Sequence, residues 1–263
     1  QLESLDSSYA VEIFEHATSQ ATQQGFQEAY FLLDRAIGQS PLNADLWLKF
    51  GQAQAALEQF QGAFAAYKTA LALNPEMWQA HQMLGYLLQA TRQPKQGLKS
   101  IAKAFQLAGR YLSARTDKLE VIALRVDLCE AYLECGEHES AILCATPNEE
   151  LFGVTLLEAD VTVTLHNLRG IARANLGDND GAYKDLELAV AESFRLEKSE
   201  SAFYSAKSHA DALNNLGTIS FFKGHHQKAR QLFQQALRII PGHRKSKENL
   251  AGLELASVPV PTQ

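Results

Sequence analysis

Cysteine and histidine are the residues of this chain best suited to hold a metal ion or to attack a substrate. The three cysteines are Cys129, Cys135 and Cys144, and their spacing matches no common zinc-binding pattern. The adjacent His225 and His226 belong to no His-Glu-x-x-His motif. No nucleophile has a recognisable base beside it. We therefore expect no metal, no cofactor and no catalytic residue, and the chain is predicted not to be an enzyme.

The cysteines are better explained as small apolar residues in helix packing. Their odd number does not indicate a disulfide framework, which favours a reducing, cytoplasmic compartment. The sequence begins with Gln1 rather than Met, so a removed signal or anchor segment stays an open alternative.

Charge and hydropathy narrow the class of partner. The chain has 24 Lys and Arg against 30 Asp and Glu, a net charge of -6. This balance argues against non-specific binding to nucleic acid, which depends on many cations at the phosphates. No stretch approaches the roughly 20 apolar residues that cross a bilayer. The sequence therefore predicts a soluble chain with no transmembrane segment and no nucleic-acid partner.

Small and apolar residues return at intervals of 34 positions in the first half of the chain. The three series are Ala29, Ala63 and Gly97; Leu33, Tyr67 and Ile101; and Ala36, Ala70 and Ala104. Within each unit they fall at i, i+4 and i+7, which is one face of a helix. Small side chains let a second helix approach closely, and the tightest crossings are predicted at Gly51, Gly85, Gly170 and Gly217. The spacing thus predicts repeated helix pairs.

This pattern resembles the tetratricopeptide repeat. The clearest early unit contains Trp47, Phe50, Gly51, Ala63, Tyr67, Ala70 and Pro75, and the clearest late one contains Leu216, Gly217, Gly224, Ala229, Phe233, Ala236 and Pro241. The resemblance implies an all-α, right-handed superhelical solenoid of about six helix-turn-helix repeats with a C-terminal capping helix. The later units are more widely spaced and resemble the longer repeats of kinesin light chain and of spindle-orientation adaptors.

The repeat register divides the chain into two groups. The N-terminal group, 1–111, has units at 10–43, 44–77 and 78–111, and the C-terminal group, 122–256, has units at 122–155, 163–196 and 210–243 and a capping helix at 243–256. An irregular join is predicted at 112–121, and a disordered tail at 257–263. The second helix of the fourth unit is expected to be short, because Pro147 follows Ala145 and Thr146.

The first helices of stacked pairs line a concave groove, so the residues opposite their packing face are candidates for ligand contact. They are Gln52, Gln82, Tyr86, Gln89, Asn167, Ile171, Asn214, Asn215, Thr218, Phe221 and Phe222. The resemblance implies that the three asparagines hold the backbone of an extended peptide, since an amide both donates and accepts hydrogen bonds. Capping or solvation of the helix is the alternative.

Three arginines, Arg125, Arg169 and Arg173, fall at positions that are usually apolar in the repeat. A buried arginine needs a partner. One interpretation pairs them with Glu130, Glu158, Asp160 or Glu187, and the other assigns them to recognition of an acidic group on a ligand. A further basic cluster comprises Arg238, His243, Arg244, Lys245 and Lys247. It suits a helix C-terminus, with an acidic partner or an anionic membrane surface as the weaker alternative.

These features predict a non-enzymatic protein–protein interaction module, an adaptor, scaffold or assembly factor that binds a peptide or protein segment in its groove. Two alternatives are kept. One is a peptide-responsive regulator whose superhelix changes shape when a ligand binds, and the other is a structural module that self-associates. The sequence specifies neither the partner nor the oligomeric state.

Overall fold

The computed structural model describes residues 2–112, 118–146, 159–201 and 204–256, and all regular structure in these ranges is helical. The helices are α1 (Leu2–Gln20), α2 (Gln23–Gln39), α3 (Ala44–Ala56), α4 (Phe60–Leu73), α5 (Trp78–Ala90), α6 (Pro94–Leu112), α7 (Lys118–Glu134), α8 (His138–Ala145), α9 (Ala159–Asn175), α10 (Asn179–Lys198), α11 (Ala206–Phe222), α12 (His226–Ile239) and α13 (Arg244–Ala256). The all-α fold expected from the sequence is confirmed. The predicted tail at 257–263, residues 113–117 of the predicted join, Pro147 and Glu158 lie outside the described residues.

The chain divides into two compact units between Leu124 and Arg125, within α7. In the first unit α1 packs against α2, α3 against α4, and α5 against α6, while α2 contacts α3 and α4 contacts α5. In the second unit α9 pairs with α10 and α11 with α12, and α13 packs on α12. First helices also touch each other, α1 with α3, α3 with α5, α9 with α11 and α11 with α13. These helices thus contact their near neighbours in the chain, as in a repeat array.

A glycine marks the crossing of four helix pairs. A Cβ atom on any of them would lie 2.5–2.7 Å from an atom of the side chain sixteen positions later, which is Tyr67 for Gly51, Ile101 for Gly85, Leu186 for Gly170 and Phe233 for Gly217. These distances are shorter than van der Waals contact, so a larger residue would force the helices apart. The crossing positions predicted from the sequence are confirmed.

The turns between the helices of a pair place one residue at positive φ. The first unit uses Ala21, Glu58 and Arg92 there, and the second uses Gly136, Gly177 and Gly224. Side-chain caps fix where several of the following helices begin, because the side chains of Thr22, Asn43, Asp178 and Ser205 accept hydrogen bonds from backbone N–H groups of the first turn. These turns and caps fix the residue at which a helix begins and therefore determine which of its side chains face the neighbouring helices.

Candidate functional site

Four of the predicted groove residues meet at one pocket in the second unit. The pocket has a volume of about 250 Å³ and is lined by Ile171, Ala174, Asn175, Asn179, Leu186, Asn215, Thr218, Ile219 and Phe222. On α11 the lining residues follow i, i+3, i+4 and i+7, which keeps them on one helix face. The first helices α9 and α11 lie side by side, and this contact brings the two faces together.

No charged side chain lines the pocket. Its apolar surface comes from Ile171, Leu186, Ile219 and Phe222, and its polar groups are three carboxamides and the hydroxyl of Thr218. The volume is smaller than the roughly 300–1,000 Å³ of sites for drug-sized ligands. Size and composition therefore suit one uncharged side chain with hydrogen-bonding groups beside it.

A ladder of asparagines joins neighbouring first helices. The Nδ2 atom of Asn215 on α11 donates to Oδ1 of Asn167 on α9 at 2.9 Å, and Nδ2 of Asn249 on α13 donates to Oδ1 of Asn214 on α11 at 3.0 Å. Asn167 and Asn214 both lie three positions before a crossing glycine, Gly170 or Gly217. The same lateral bond is thus made twice, and it fixes α9, α11 and α13 to each other.

The prediction that Asn214 faces an open groove is wrong. Asn214 is only 3% exposed, because α13 covers it. Its Oδ1 atom accepts from Ser246 as well as Asn249, and its Nδ2 atom donates to Asn215. Asn167 differs, since it is only partly buried and its Nδ2 atom makes no hydrogen bond within the described part of the chain.

The remaining predicted groove residues do not line this pocket. Phe221 is half-buried and packs against Phe233 and Leu253, so it faces the capping helix α13. In the first unit, Gln82 donates from Nε2 to the hydroxyl of Tyr86 at 2.8 Å. Gln52 and Gln89, also in the first unit, are partly buried.

Arg169 and Arg173 converge on Asp185, which is 2% exposed. Arg169 makes two bonds to it, Nε to Oδ2 at 2.9 Å and Nη2 to Oδ1 at 2.6 Å. Arg173 Nη1 lies 2.8 Å from Oδ2 of the same carboxylate. Arg169 also lies beside His166, whose pKa is lowered by burial and then by the charge of Arg169. The buried carboxylate of Asp185 is therefore compensated by guanidinium groups from within the chain.

Among the expected acidic partners of these arginines, Glu158 and the side chain of Asp160 lie outside the described residues, whereas Glu187 is described. Glu187 pairs with Lys228 at 3.2 Å instead, and Asp185 was missed. A signal for it exists in the sequence, because Asp185 stands among Ala182, Leu186 and Ala189 on the packing face of α10. A carboxylate at such a position requires a buried cation.

Arg125 also has a structural role. It is 5% exposed, its Nε atom donates to the carbonyl oxygen of Cys144 at 2.6 Å, and its Nη2 atom donates to that of Thr146. Arg125 thus satisfies carbonyl groups at the end of α8, which would otherwise lack partners. For all three arginines the geometry supports the structural interpretation over recognition of a ligand carboxylate.

The C-terminal basic cluster is partly neutralised. His243 Nε2 lies 3.1 Å from Oδ1 of Asp211, and Arg244 Nε lies 2.7 Å from Oε1 of Glu248. Across the described ranges, no three His, Cys, Asp or Glu side chains are grouped so that they could hold a metal ion. No helix in those ranges combines the length and the apolar character needed to cross a membrane.

Comparison with known proteins supports the repeat assignment. Family models described as tetratricopeptide repeat match residues 14–78 and 210–243. No curated protein sequence matches the chain. The likeness of the later units to kinesin light chain stays a prediction.

Several solved structures share the fold. The apo form of RapI superimposes with a TM-score of 0.71 at 17% identity, covering 94% of this chain and 68% of RapI. PilW, a type IV pilus biogenesis factor, gives 0.65 at 14% identity, covering 95% of this chain and 99% of PilW. YrrB, a TPR protein with an unusual peptide-binding site, gives 0.55 at 19% identity, covering 82% of this chain and 96% of YrrB. Identities this low show a shared fold only.

Repeats of this kind are generally non-enzymatic, and they support a role as a scaffold or adaptor in protein–protein interaction. The two matched segments are tetratricopeptide repeats, and the recurring glycine crossings and stacked helix pairs continue the same pattern along the chain.

Proposed function

We propose that this protein is an adaptor or scaffold that binds an extended segment of a partner protein across α9 and α11, with one uncharged side chain of the partner in the pocket. The observation that carries the proposal is the meeting of Ile171, Asn215, Thr218 and Phe222 around that pocket. These residues were selected from the sequence as groove-facing, independently of any cavity.

The side chains around the pocket on α9 and α11 suit a peptide ligand. The open Nδ2 group of Asn167 and the carboxamides of Asn175 and Asn179 can bond to peptide groups whatever the side chains of the partner. Phe222, at 69% exposure, offers the kind of aromatic surface that often dominates binding energy. Since no charged residue lines the pocket, an apolar side chain would enter without leaving a buried charge unpaired.

The face is also held in place before any ligand arrives. The bond from Asn215 to Asn167 fixes α11 against α9, and the bond from Asn249 to Asn214 fixes α13 against α11. A preformed surface lowers the entropy cost of binding. The asparagine ladder therefore positions the site, and two of its members, Asn167 and Asn215, also stand among the groups that can contact the ligand.

A selection from a random peptide library displayed on phage, with the full chain as bait, tests this proposal. We expect selected peptides to share one apolar residue flanked by varied positions. Fluorescence anisotropy should show at least about tenfold weaker binding to Phe222→Ala, because loss of an aromatic anchor typically costs more than roughly 1.4 kcal/mol. Ala174→Phe, which fills the pocket, should weaken binding as well.

Phe31→Ala provides a matched control, because Phe31 is also 69% exposed but belongs to α2 in the first unit. Its peptide affinity should equal that of the wild type. Circular dichroism establishes that each variant keeps its helicity. If the selected peptides bind Phe222→Ala and Ala174→Phe as tightly as the wild type, the pocket is not the site and the proposal fails.

A further inference from the structure

Two of the three cysteines face each other across the hairpin of α7 and α8. Cys129 on α7 is 0% exposed and lies in an apolar cluster with Ala145, Leu165 and Leu168. Cys144 on α8 is half-buried and packs against that cluster. The two cysteines therefore share one cluster on facing sides of the hairpin, and each thiol shifts the pKa of the other. The Cys144 thiol in turn lies 3.6 Å from the backbone oxygen of Arg125, to which it donates.

The two sulfur atoms have different environments. The guanidinium of Arg125 is anchored at the end of α8 by its bond to the carbonyl oxygen of Cys144, so a positive charge stands beside that cysteine. The pKa of Cys144 is lowered by the hydrogen bond from Cys129 and by Arg125, against the effect of burial. The same hydrogen bond and burial raise the pKa of Cys129. A thiolate therefore forms at Cys144 in preference to Cys129.

We propose that Cys129 and Cys144 are an oxidation site, which a peroxide converts into an intrachain disulfide between α7 and α8. Cys144 is the half-buried member of the pair, so an oxidant in solution reaches it first. Cys129 is fully buried behind it and stands where it can react with the oxidised sulfur. Cys135 lies beyond the end of α7.

The chemistry balances with peroxide as the oxidant. The Cys144 thiolate attacks one peroxide oxygen, an S–O bond forms as the O–O bond breaks, and hydroxide leaves. The sulfur is oxidised to a sulfenic acid while the peroxide is reduced. The Cys129 thiol then attacks the Cys144 sulfur, an S–S bond forms as the S–O bond breaks, and the hydroxyl departs as water with the thiol proton. A small thiol such as glutathione reverses the reaction by exchange.

The disulfide would tether α8, the shortest of the described helices, to α7. Helix α8 has eight residues, and Arg125 already holds its last turn to α7. A disulfide between the same two helices closes the connecting segment and restricts the unfolded chain. The oxidised hairpin should therefore unfold at a higher temperature than the reduced one.

The experiment treats the full chain with hydrogen peroxide and follows it by intact mass and by peptide mapping after alkylation. We expect a mass loss of about 2 Da, the two hydrogens given up on disulfide formation, a peptide linked through Cys129 and Cys144, and an alkylated Cys135. Cys135→Ser should oxidise in the same way. In Cys129→Ser the sulfenic acid has no resolving thiol, so dimedone should label Cys144.

Other outcomes overturn the proposal. A disulfide that includes Cys135 would contradict the pairing, and so would an unchanged mass under conditions that oxidise a surface thiol peptide. Dimedone labelling that appears at Cys135 and not at Cys144 would contradict the order of attack. Because the wild-type peptide map needs no substitution, it decides the pairing even if Cys129→Ser does not fold.

Discussion

Asp185 is a buried carboxylate shared by two guanidinium groups, and its position explains two arginines that are anomalous in the repeat. Arg169 binds it through two nitrogen atoms and Arg173 through one. Charges taken out of water cost several kcal/mol each unless they are compensated at close range. The stability of this part of the chain should thus depend on the whole set of three.

Replacement of Asp185 by alanine should destabilise the protein by about 3–5 kcal/mol, because two guanidinium groups would lose their buried counter-charge. Urea unfolding followed by circular dichroism measures the change. Glu248→Ala is the matched control, since Glu248 pairs with Arg244 on the surface, where ion pairs contribute little. If both variants lose a similar free energy of unfolding, burial does not determine how much the ion pairs of Asp185 contribute to stability.

His209 should make stability depend on pH. It is fully buried, its Nδ1 atom bonds to the hydroxyl of Tyr204, and its Nε2 atom has no partner in the described part of the chain. Burial lowers the pKa of His209, and the charge of Glu197 opposes this to a smaller extent. The pKa values of His81 and His166 are also lowered, chiefly by burial.

A histidine whose folded-state pKa is depressed binds protons more readily in the unfolded chain. Its contribution to stability is therefore complete above the unfolded pKa of about 6.5 and is lost as pH falls below it. We expect the free energy of unfolding, measured in urea, to be lower at pH 5.5 than at pH 8. His209→Phe should reduce that fall, whereas His16→Gln, at an exposed position, should leave it unchanged. An equal pH dependence in wild type and His209→Phe would contradict this account.

At the scale of helices and turns, the two units place different residues at the positive-φ positions of their turns. Glu58 and Arg92 have φ near +60°, while Gly177 and Gly224 occupy the equivalent turns of the second unit. A side chain at positive φ costs roughly 1–2 kcal/mol, a penalty that glycine does not have. The turns of the first unit therefore carry strain that those of the second avoid.

The substitutions Glu58→Gly and Arg92→Gly should each stabilise the protein by about 0.5–1 kcal/mol. They relieve the strain of positive φ, and the greater conformational freedom of glycine in the unfolded chain offsets part of this gain. Gly177→Ala should have the opposite sign, because it introduces the strain. Thermal unfolding of the three variants measures both effects. If glycine at Glu58 and at Arg92 lowers the melting temperature, positive φ is not a source of strain in these turns.

The helices and their crossings could be predicted because each depends on local periodicity. The positions of Gly51 and Gly217 against side chains sixteen residues later follow from one repeat pattern. The burial of Asn214 could not be predicted, since it depends on how α13 packs against α11. Asp185, by contrast, could have been preferred to Glu187, because it stands among Ala182, Leu186 and Ala189 on the packing face of α10. Local spacing thus predicted the elements and four of the nine residues that line the pocket, while contacts between elements decided which polar groups stay open.

At the scale of the whole molecule, the apolar interior is a series of separate clusters. One lies among α1–α4, another among α3–α5, and a third among α9–α12. In such an array stability is approximately the sum of the helix pairs and their nearest-neighbour contacts. A defect in one pair should therefore weaken that pair and its neighbours more than distant ones.

Gly217→Ala tests this view of the molecule. The added Cβ atom would lie 2.6 Å from Cε1 of Phe233, and relief of that overlap should cost about 1–3 kcal/mol. Hydrogen exchange should show lost protection in α11 and α12, smaller losses in α10 and α13, and unchanged protection in α1–α6. Gly252→Ala is the control, because nothing lies within 4 Å of its added Cβ and alanine favours helix by up to about 1 kcal/mol. Equal loss of protection in every helix would instead show that the chain unfolds as one cooperative body, with stability shared across both units.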